Sequence, residues 1–65
     1  MALREVVARN LRRLRRSKAL SQEELADRAG INRNYVGMLE REENAATVDT
    51  LEKLANVLEV DPIEF

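Results

Sequence analysis

Apolar residues recur along this chain at helical spacing, and they predict an all-α fold. Leu3, Val7, Leu11 and Leu14 fall at i, i+4, i+8 and i+11, which draws one stripe along a helix over residues 3–17, with Arg9, Arg12, Arg13 and Arg16 away from it. Leu51, Leu54, Ala55 and Leu58 repeat the i, i+3, i+4, i+7 pattern of a core helix that Thr47 caps and Asp49 supports through its dipole. Between these two lies QEELADRAGINRNYVGMLER, residues 22–41, which reads as two short helices joined at Gly30. Ser21 with Glu24 forms a capping box, and Leu20 with Leu25 forms a hydrophobic staple, so a helix starts at Gln22. It runs to about Ala29, where Gly30 suits a left-handed helix end. Asn32, stapled by Ile31 and Val36, opens the next helix, expected over residues 33–42. Asp61, Pro62 and Glu64 start a last short helix, since aspartate caps and proline fits the first helical position. The expectation is one domain, residues 1–65, of five helices.

Within the hairpin, Leu25 and Ala26, then Gly30, then Val36 and Leu39 give an apolar, small, glycine, apolar, apolar order. The small Ala26 permits a close crossing and the branched residues fill the angle, as in a helix-turn-helix. On a 100° wheel Tyr35, Val36 and Leu39 share one side of the second helix, whereas Arg33, Asn34, Gly37, Met38 and Arg41 share the other.

Charge changes this picture more than composition does. The 65-residue chain has 11 basic and 12 acidic residues, a formal net charge of -1, which argues against a polyanionic partner. Its distribution reverses that. Up to Lys18 seven basic side chains face Glu5 alone, a balance of +6, and beyond it four face eleven, a balance of -7. Fields are screened beyond roughly 8 to 10 Å at physiological salt, so a basic first helix can meet a phosphate backbone regardless of the total. A solvated arginine-rich face remains the plain alternative.

The chain has no cysteine and no histidine, which excludes disulfides, thiol catalysis, imidazole bases and the usual zinc sites. Two aromatics, Tyr35 and Phe65, make no stacking platform for single strands. No nucleophile–base pair or metal cluster is visible, so no enzyme, cofactor, metal or small-molecule ligand is expected. No apolar run approaches the ~20 residues of a membrane span, and the start lacks a secretory apolar segment. A cytoplasmic protein is expected, bacterial or phage and associated with the nucleoid. A chain this short buries only ~60% of its unfolded surface, so a partner subunit is physically plausible.

From about Val7 onward the sequence resembles the lambda-repressor-like (Cro/Xre) family. The likeness is carried by LRRLR at 11–15, LSQEELA at 20–26, the ER pair at 40–41 and TLEKLANVLEVD at 50–61, in that order and spacing. The resemblance implies a five-helix bundle in which the helix at 33–42 enters the major groove by its N-terminal turn. Arg33 and Asn34 are then best placed for base edges, arginine suiting guanine and asparagine adenine, with Gly37 and Met38 beside them. Gly37 allows a close approach or leaves room for a thymine methyl, unless it is a tolerated imperfection, and Met38 either touches a thymine methyl or lies partly exposed beside the core. Gln22 matches a family glutamine that contacts phosphate and braces the recognition helix. Asn32, Tyr35, Arg41, Asn44 and Arg12 complete the expected phosphate contacts. For Tyr35, core filling is the main expected role. Arg15 is expected to pair with Glu40, partly buried, with two independent surface charges as the alternative. Ile63 and Phe65 are expected at a homodimer interface.

The sequence departs from the family after Arg41. Where the family has glycine, a basic residue and often proline, this chain has Glu42, Asn44 and Ala46. Asn44 takes a left-handed conformation more easily than Glu42, so either the turn shifts or the third helix runs further. Acidic Glu42 and Glu43 weaken phosphate attraction there. The expected function is a sequence-specific regulator of transcription, binding double-stranded DNA as a homodimer on a near-palindromic operator. Small phage repressors and restriction-modification controllers share this length and pattern. A protein-interaction module of the antitoxin or anti-repressor type on the same fold is the alternative.

Overall fold

Four α-helices follow one another in the computed structural model, which describes residues 2–65: α1 (Leu3–Ser17), α2 (Gln22–Ala29), α3 (Arg33–Glu40) and α4 (Val48–Leu58). Among the described residues there is no strand. The expected fifth helix is corrected to a single 3-10 turn at Pro62–Glu64. After the Asp61 cap only i→i+3 bonds close, from Glu64 N–H to the Asp61 carbonyl (2.9 Å) and from Phe65 N–H to that of Pro62 (3.3 Å).

The caps lie where the side-chain chemistry places them. Glu24 N–H donates to Ser21 Oγ (3.0 Å) while Ser21 N–H donates to Glu24 Oε1 (3.1 Å), closing the capping box of α2. Asn34 N–H donates to Asn32 Oδ1 (2.8 Å) at the start of α3, and Thr50 N–H to Thr47 Oγ1 (3.1 Å) at the start of α4. All four helices then end alike. The N–H groups of Leu20, Ile31, Glu43 and Val60 reach back to the carbonyls of Arg15, Ala26, Met38 and Ala55 at 3.2, 3.0, 2.9 and 3.1 Å. Each such Schellman closure needs one left-handed residue, and these are Ala19 (φ 56°), Gly30 (φ 70°), Glu42 (φ 63°) and Glu59 (φ 59°). Only one of the four is glycine. Glu42 therefore settles the open choice after Arg41: it takes the left-handed conformation itself, and α3 stops at Glu40 rather than at 42.

The core is formed by Leu11 and Leu14 of α1, Leu20, Leu25 and Ala26 around α2, Val36 and Leu39 of α3, and Leu54 and Leu58 of α4. α3 packs on α2 and α1, and α4 packs on α2. The stripe on α1 is shorter at its start than the spacing predicts. Leu3 is 76% exposed, Val7 is half-buried, and Ala8 is the first fully buried residue, because this end of the stripe lines an open apolar groove with Leu39 and Leu51. At the other end Phe65 packs against the core, and Asn10 Nδ2 holds its carbonyl (3.1 Å). The bundle thereby fixes α3 from two sides and leaves its outer face open.

Candidate nucleic-acid interface

The outer face of α3 and the first turn of α2 enclose a groove of about 460 Å³ lined by Gln22, Glu23, Arg33, Asn34, Gly37, Met38, Arg41 and Glu43. It exists because α3 turns Val36 and Leu39 inward, which at 100° per residue leaves Arg33, Asn34 and Arg41 outward. The four expected base-reading residues, with Gln22 and Arg41, thus share one concavity.

Gly37 is buried within it. A Cβ at this position would lie 3.0 Å from Arg41 Nη1 and 3.1 Å from Gln22 Oε1, so the bare backbone makes room for two side chains of the protein's own. Between them those side chains cover the place where a base or a methyl group was expected to approach.

Beneath the groove, Glu40 is a buried carboxylate shared by three segments. Arg15 donates to it from Nε (2.6 Å, to Oε2) and from Nη2 (3.0 Å, to Oε1), a bidentate pair whose side chains are only 12% and 4% exposed. Gln22 Nε2 donates to Oε1 (3.0 Å). Arg15 Nη1 also donates to the Leu20 carbonyl (2.9 Å), tying the loop before α2 into the same cluster. Arg12 Nη1 donates to the Glu40 backbone carbonyl (3.1 Å), satisfying an otherwise open acceptor at the end of α3. Burial pushes the Glu40 carboxyl up, but the bonds from Arg15 and Gln22 and the charges of Arg15 and Arg12 outweigh it and hold the group below its ordinary value. The bond to Glu40 raises the Arg15 guanidinium in turn. Gln22 thus has one end on the hub and the other over Gly37, at the rim of the groove.

The remaining expected phosphate contacts are engaged within the protein. The Tyr35 ring packs on the core, and its hydroxyl donates to the Ala45 carbonyl (3.3 Å), strapping the link between α3 and α4. Asn44 Nδ2 lies 3.6 Å from Met38 Sδ. Its other side belongs to an apolar groove with Leu3, Val7 and Leu51, so it stands outside the concavity of Arg33 and Asn34. Arg12 is half-buried on the α3 carbonyl. Of the expected dimer residues, Ile63 is 88% exposed and Phe65 is half-buried against its own core.

Arg33 and Arg41 also have acidic neighbours. Arg33 Nη2 lies 2.9 Å from Glu23 and its Nε 3.5 Å from Asp27, while Arg41 pairs with Glu43 at 2.8 Å. The pairing of Arg33 with Glu23 and Asp27 was not expected at the site, whereas Glu43 was expected there only to weaken phosphate attraction. Their spacing, four apart on one face of α2, puts Glu23 and Asp27 together but does not say what they face.

The helix-turn-helix family model HTH_3 matches residues 11–65, which contain α2, α3, α4 and the hub. The chain is a member of the lambda-repressor-like helix-turn-helix family. It is 44% identical over 65 residues to an uncharacterised HTH-type transcriptional regulator, y4dJ, of Sinorhizobium fredii, covering 100% of this chain and 84% of that one. It is 43% identical over 58 residues to the control protein C.SmaI of Serratia marcescens, covering 89% and 69%. Its fold is similar to the crystal structure of the restriction-modification controller C.AhdI from Aeromonas hydrophila, with a TM-score of 0.90 and 39% identity over 94% of this chain and 92% of that one. Membership in this family of DNA-binding transcriptional regulators makes the groove on α3 the candidate DNA surface. Among the described residues, no helix of this regulator is long and apolar enough to cross a membrane.

Proposed function

We propose that this helix-turn-helix protein is a sequence-specific regulator of transcription that binds a near-palindromic operator in double-stranded DNA as a homodimer, with α3 in the major groove. The observation that carries the proposal is the convergence of Arg33, Asn34 and Met38 with Gln22 and Arg41 on one exposed concavity of a family member. Arg33 and Asn34 stand in the first turn of α3 and read base edges, arginine toward guanine and asparagine toward adenine. The α2 N-terminus, with Gln22 at its first position, seats a phosphate on unpaired N–H groups at the positive end of the helix dipole. The basic face of α1 adds attraction that does not depend on sequence. Exposed Ile63 contributes to a two-fold contact that sets two α3 helices one turn of B-DNA apart, ~34 to 36 Å. The likeness to C.SmaI and C.AhdI supports a regulator of the controller kind.

A binding selection on random duplexes tests the proposal. The expected product is an inverted repeat whose half-sites are one helical turn apart, bound with an affinity that falls steeply with salt, log K changing by ~0.9 per neutralised phosphate for each unit of log salt. Selection of no duplex at low salt overturns it in favour of a protein-interaction module.

A further inference from the structure

The groove that presents the arginines also holds the carboxylates that occupy them. Arg33 bridges two residues of α2, Glu23 through Nη2 (2.9 Å) and Asp27 through Nε (3.5 Å). Arg41 is held by Glu43 from Nε (2.8 Å) and from Nη2 (3.3 Å). These pairs differ in kind from the Arg15–Glu40 pair. Every side chain in them is more than half exposed, whereas those of Arg15 and Glu40 are 12% and 4% exposed. A buried pair is structural and cannot be exchanged without leaving a charge uncompensated. An exposed pair trades partners readily.

We propose that Glu23, Asp27 and Glu43 act as a brake on DNA recognition, holding Arg33 and Arg41 in bonds that must be given up before either arginine meets DNA. The proposal rests on the DNA-binding reading of the groove. For Arg33 to enter the major groove it must leave two carboxylates. Guanine returns two bonds to the guanidinium through O6 and N7. A mismatched base does not, and Arg33 then stays with α2. The carboxylates also repel phosphate on any sequence, well within the ~8 Å screening length. Without them Arg33 reaches guanine with no bonds to give up, whereas on a mismatched base, where it had not left α2, only the general repulsion is removed. The acidic neighbours therefore lower affinity for all DNA and lower it most for the DNA that Arg33 reads.

The test uses the full chain, the duplex enriched by selection and a scrambled duplex of equal length, at one salt concentration. An exposed pair shifts an equilibrium by up to about fivefold. The double variant Glu23→Gln/Asp27→Asn is expected to tighten binding to the enriched duplex up to about fivefold more than to the scrambled one, and Glu43→Gln, which frees an arginine assigned to phosphate, to tighten both. In an Arg33→Ala background, the Glu23 and Asp27 substitutions should tighten both duplexes equally, because only the general repulsion is left to remove. Far-UV circular dichroism checks that the variants keep the helical bundle. If the wild-type protein discriminates and the double variant leaves the ratio unchanged, the brake on Arg33 is overturned and the DNA reading stands. Equal tightening of both duplexes with Arg33 present overturns it likewise. A wild-type protein with no preferred duplex overturns both.

Discussion

Replacing Glu40 by alanine should destabilise this small domain more than any change on its reading face. The carboxylate accepts two bonds from Arg15 and one from Gln22 and is almost wholly buried. Its removal leaves the Arg15 guanidinium in the interior with only the Leu20 carbonyl, and Gln22 with no partner below the groove. Breaking one side of a buried pair costs about 3 to 5 kcal/mol. A domain of this length has a total stability of roughly 3 to 10 kcal/mol at the usual per-residue value. Glu40→Ala therefore removes about 30% of the stability at the least, and at the low end all of it. The Arg12 bond survives, because it goes to the backbone carbonyl. Urea unfolding followed by far-UV circular dichroism measures the loss. The joint variant Arg15→Met/Glu40→Leu separates charge burial from packing, since removing both charges is often near neutral. A loss below about 1 kcal/mol for Glu40→Ala refutes the assignment of Glu40 as the hub. Acid gives a second readout. The folded carboxyl lies below its unfolded value, so its contribution is complete above about pH 4.5 and is lost as pH falls through the depressed folded value. Glu40→Gln should flatten that part of the stability–pH curve.

Other variants test the helix ends, the glycine in the groove and the dimer contact. Glu42→Gly relieves a left-handed conformation costing about 1 to 2 kcal/mol and gives back about 0.5 to 1 in unfolded-chain entropy, so the melting temperature should rise by roughly 2 to 8 °C. Gly30→Ala should lower it by a similar amount for conformational reasons alone, as an added Cβ meets nothing within 4 Å. Gly37→Ala should leave the melting temperature unchanged or raised, since mid-helix alanine gains up to ~1 kcal/mol and displaces only flexible side-chain ends. Its affinity for the selected duplex should nevertheless fall by roughly threefold or more, because the added methyl group shifts Gln22 and Arg41 at the groove. Ile63→Glu should shift sedimentation toward monomer and weaken operator binding without altering thermal unfolding of the protomer, because that side chain is almost fully exposed.

Local signals were legible wherever one residue type does one job. Ser21 with Glu24, Asn32, Thr47 and Gly30 announce helix ends by short-range hydrogen bonding or by a missing Cβ, and the structure puts helix boundaries there. The apolar stripes were legible for the same reason, except in the first turn of α1. Periodicity marks Leu3 as inward, but only tertiary geometry decides whether anything faces it. Glu42 shows a second limit. Its own preference opposes the left-handed conformation, and the closure from Glu43 to Met38 with the packing of Leu39 prevails. The fifth helix failed because good capping chemistry at Asp61 does not supply the further turns a helix needs. At the site, the wheel places Arg33, Asn34 and Met38 on one face, yet it cannot place the acids of α2 across the hairpin from Arg33. Contacts between elements need the crossing geometry, which periodicity does not contain.

α3 has eight residues, and an isolated helix of that length is marginal in water. It persists here because Val36 and Leu39 are buried and Glu40 is tied to α1 and α2. Amide hydrogens in the middle of α3 should accordingly exchange only when the whole domain opens, with no separate local event. Sequence reading and folding are then a single cooperative equilibrium. Binding lost in a variant far from the groove measures how much folded protein is left before it measures any contact with DNA.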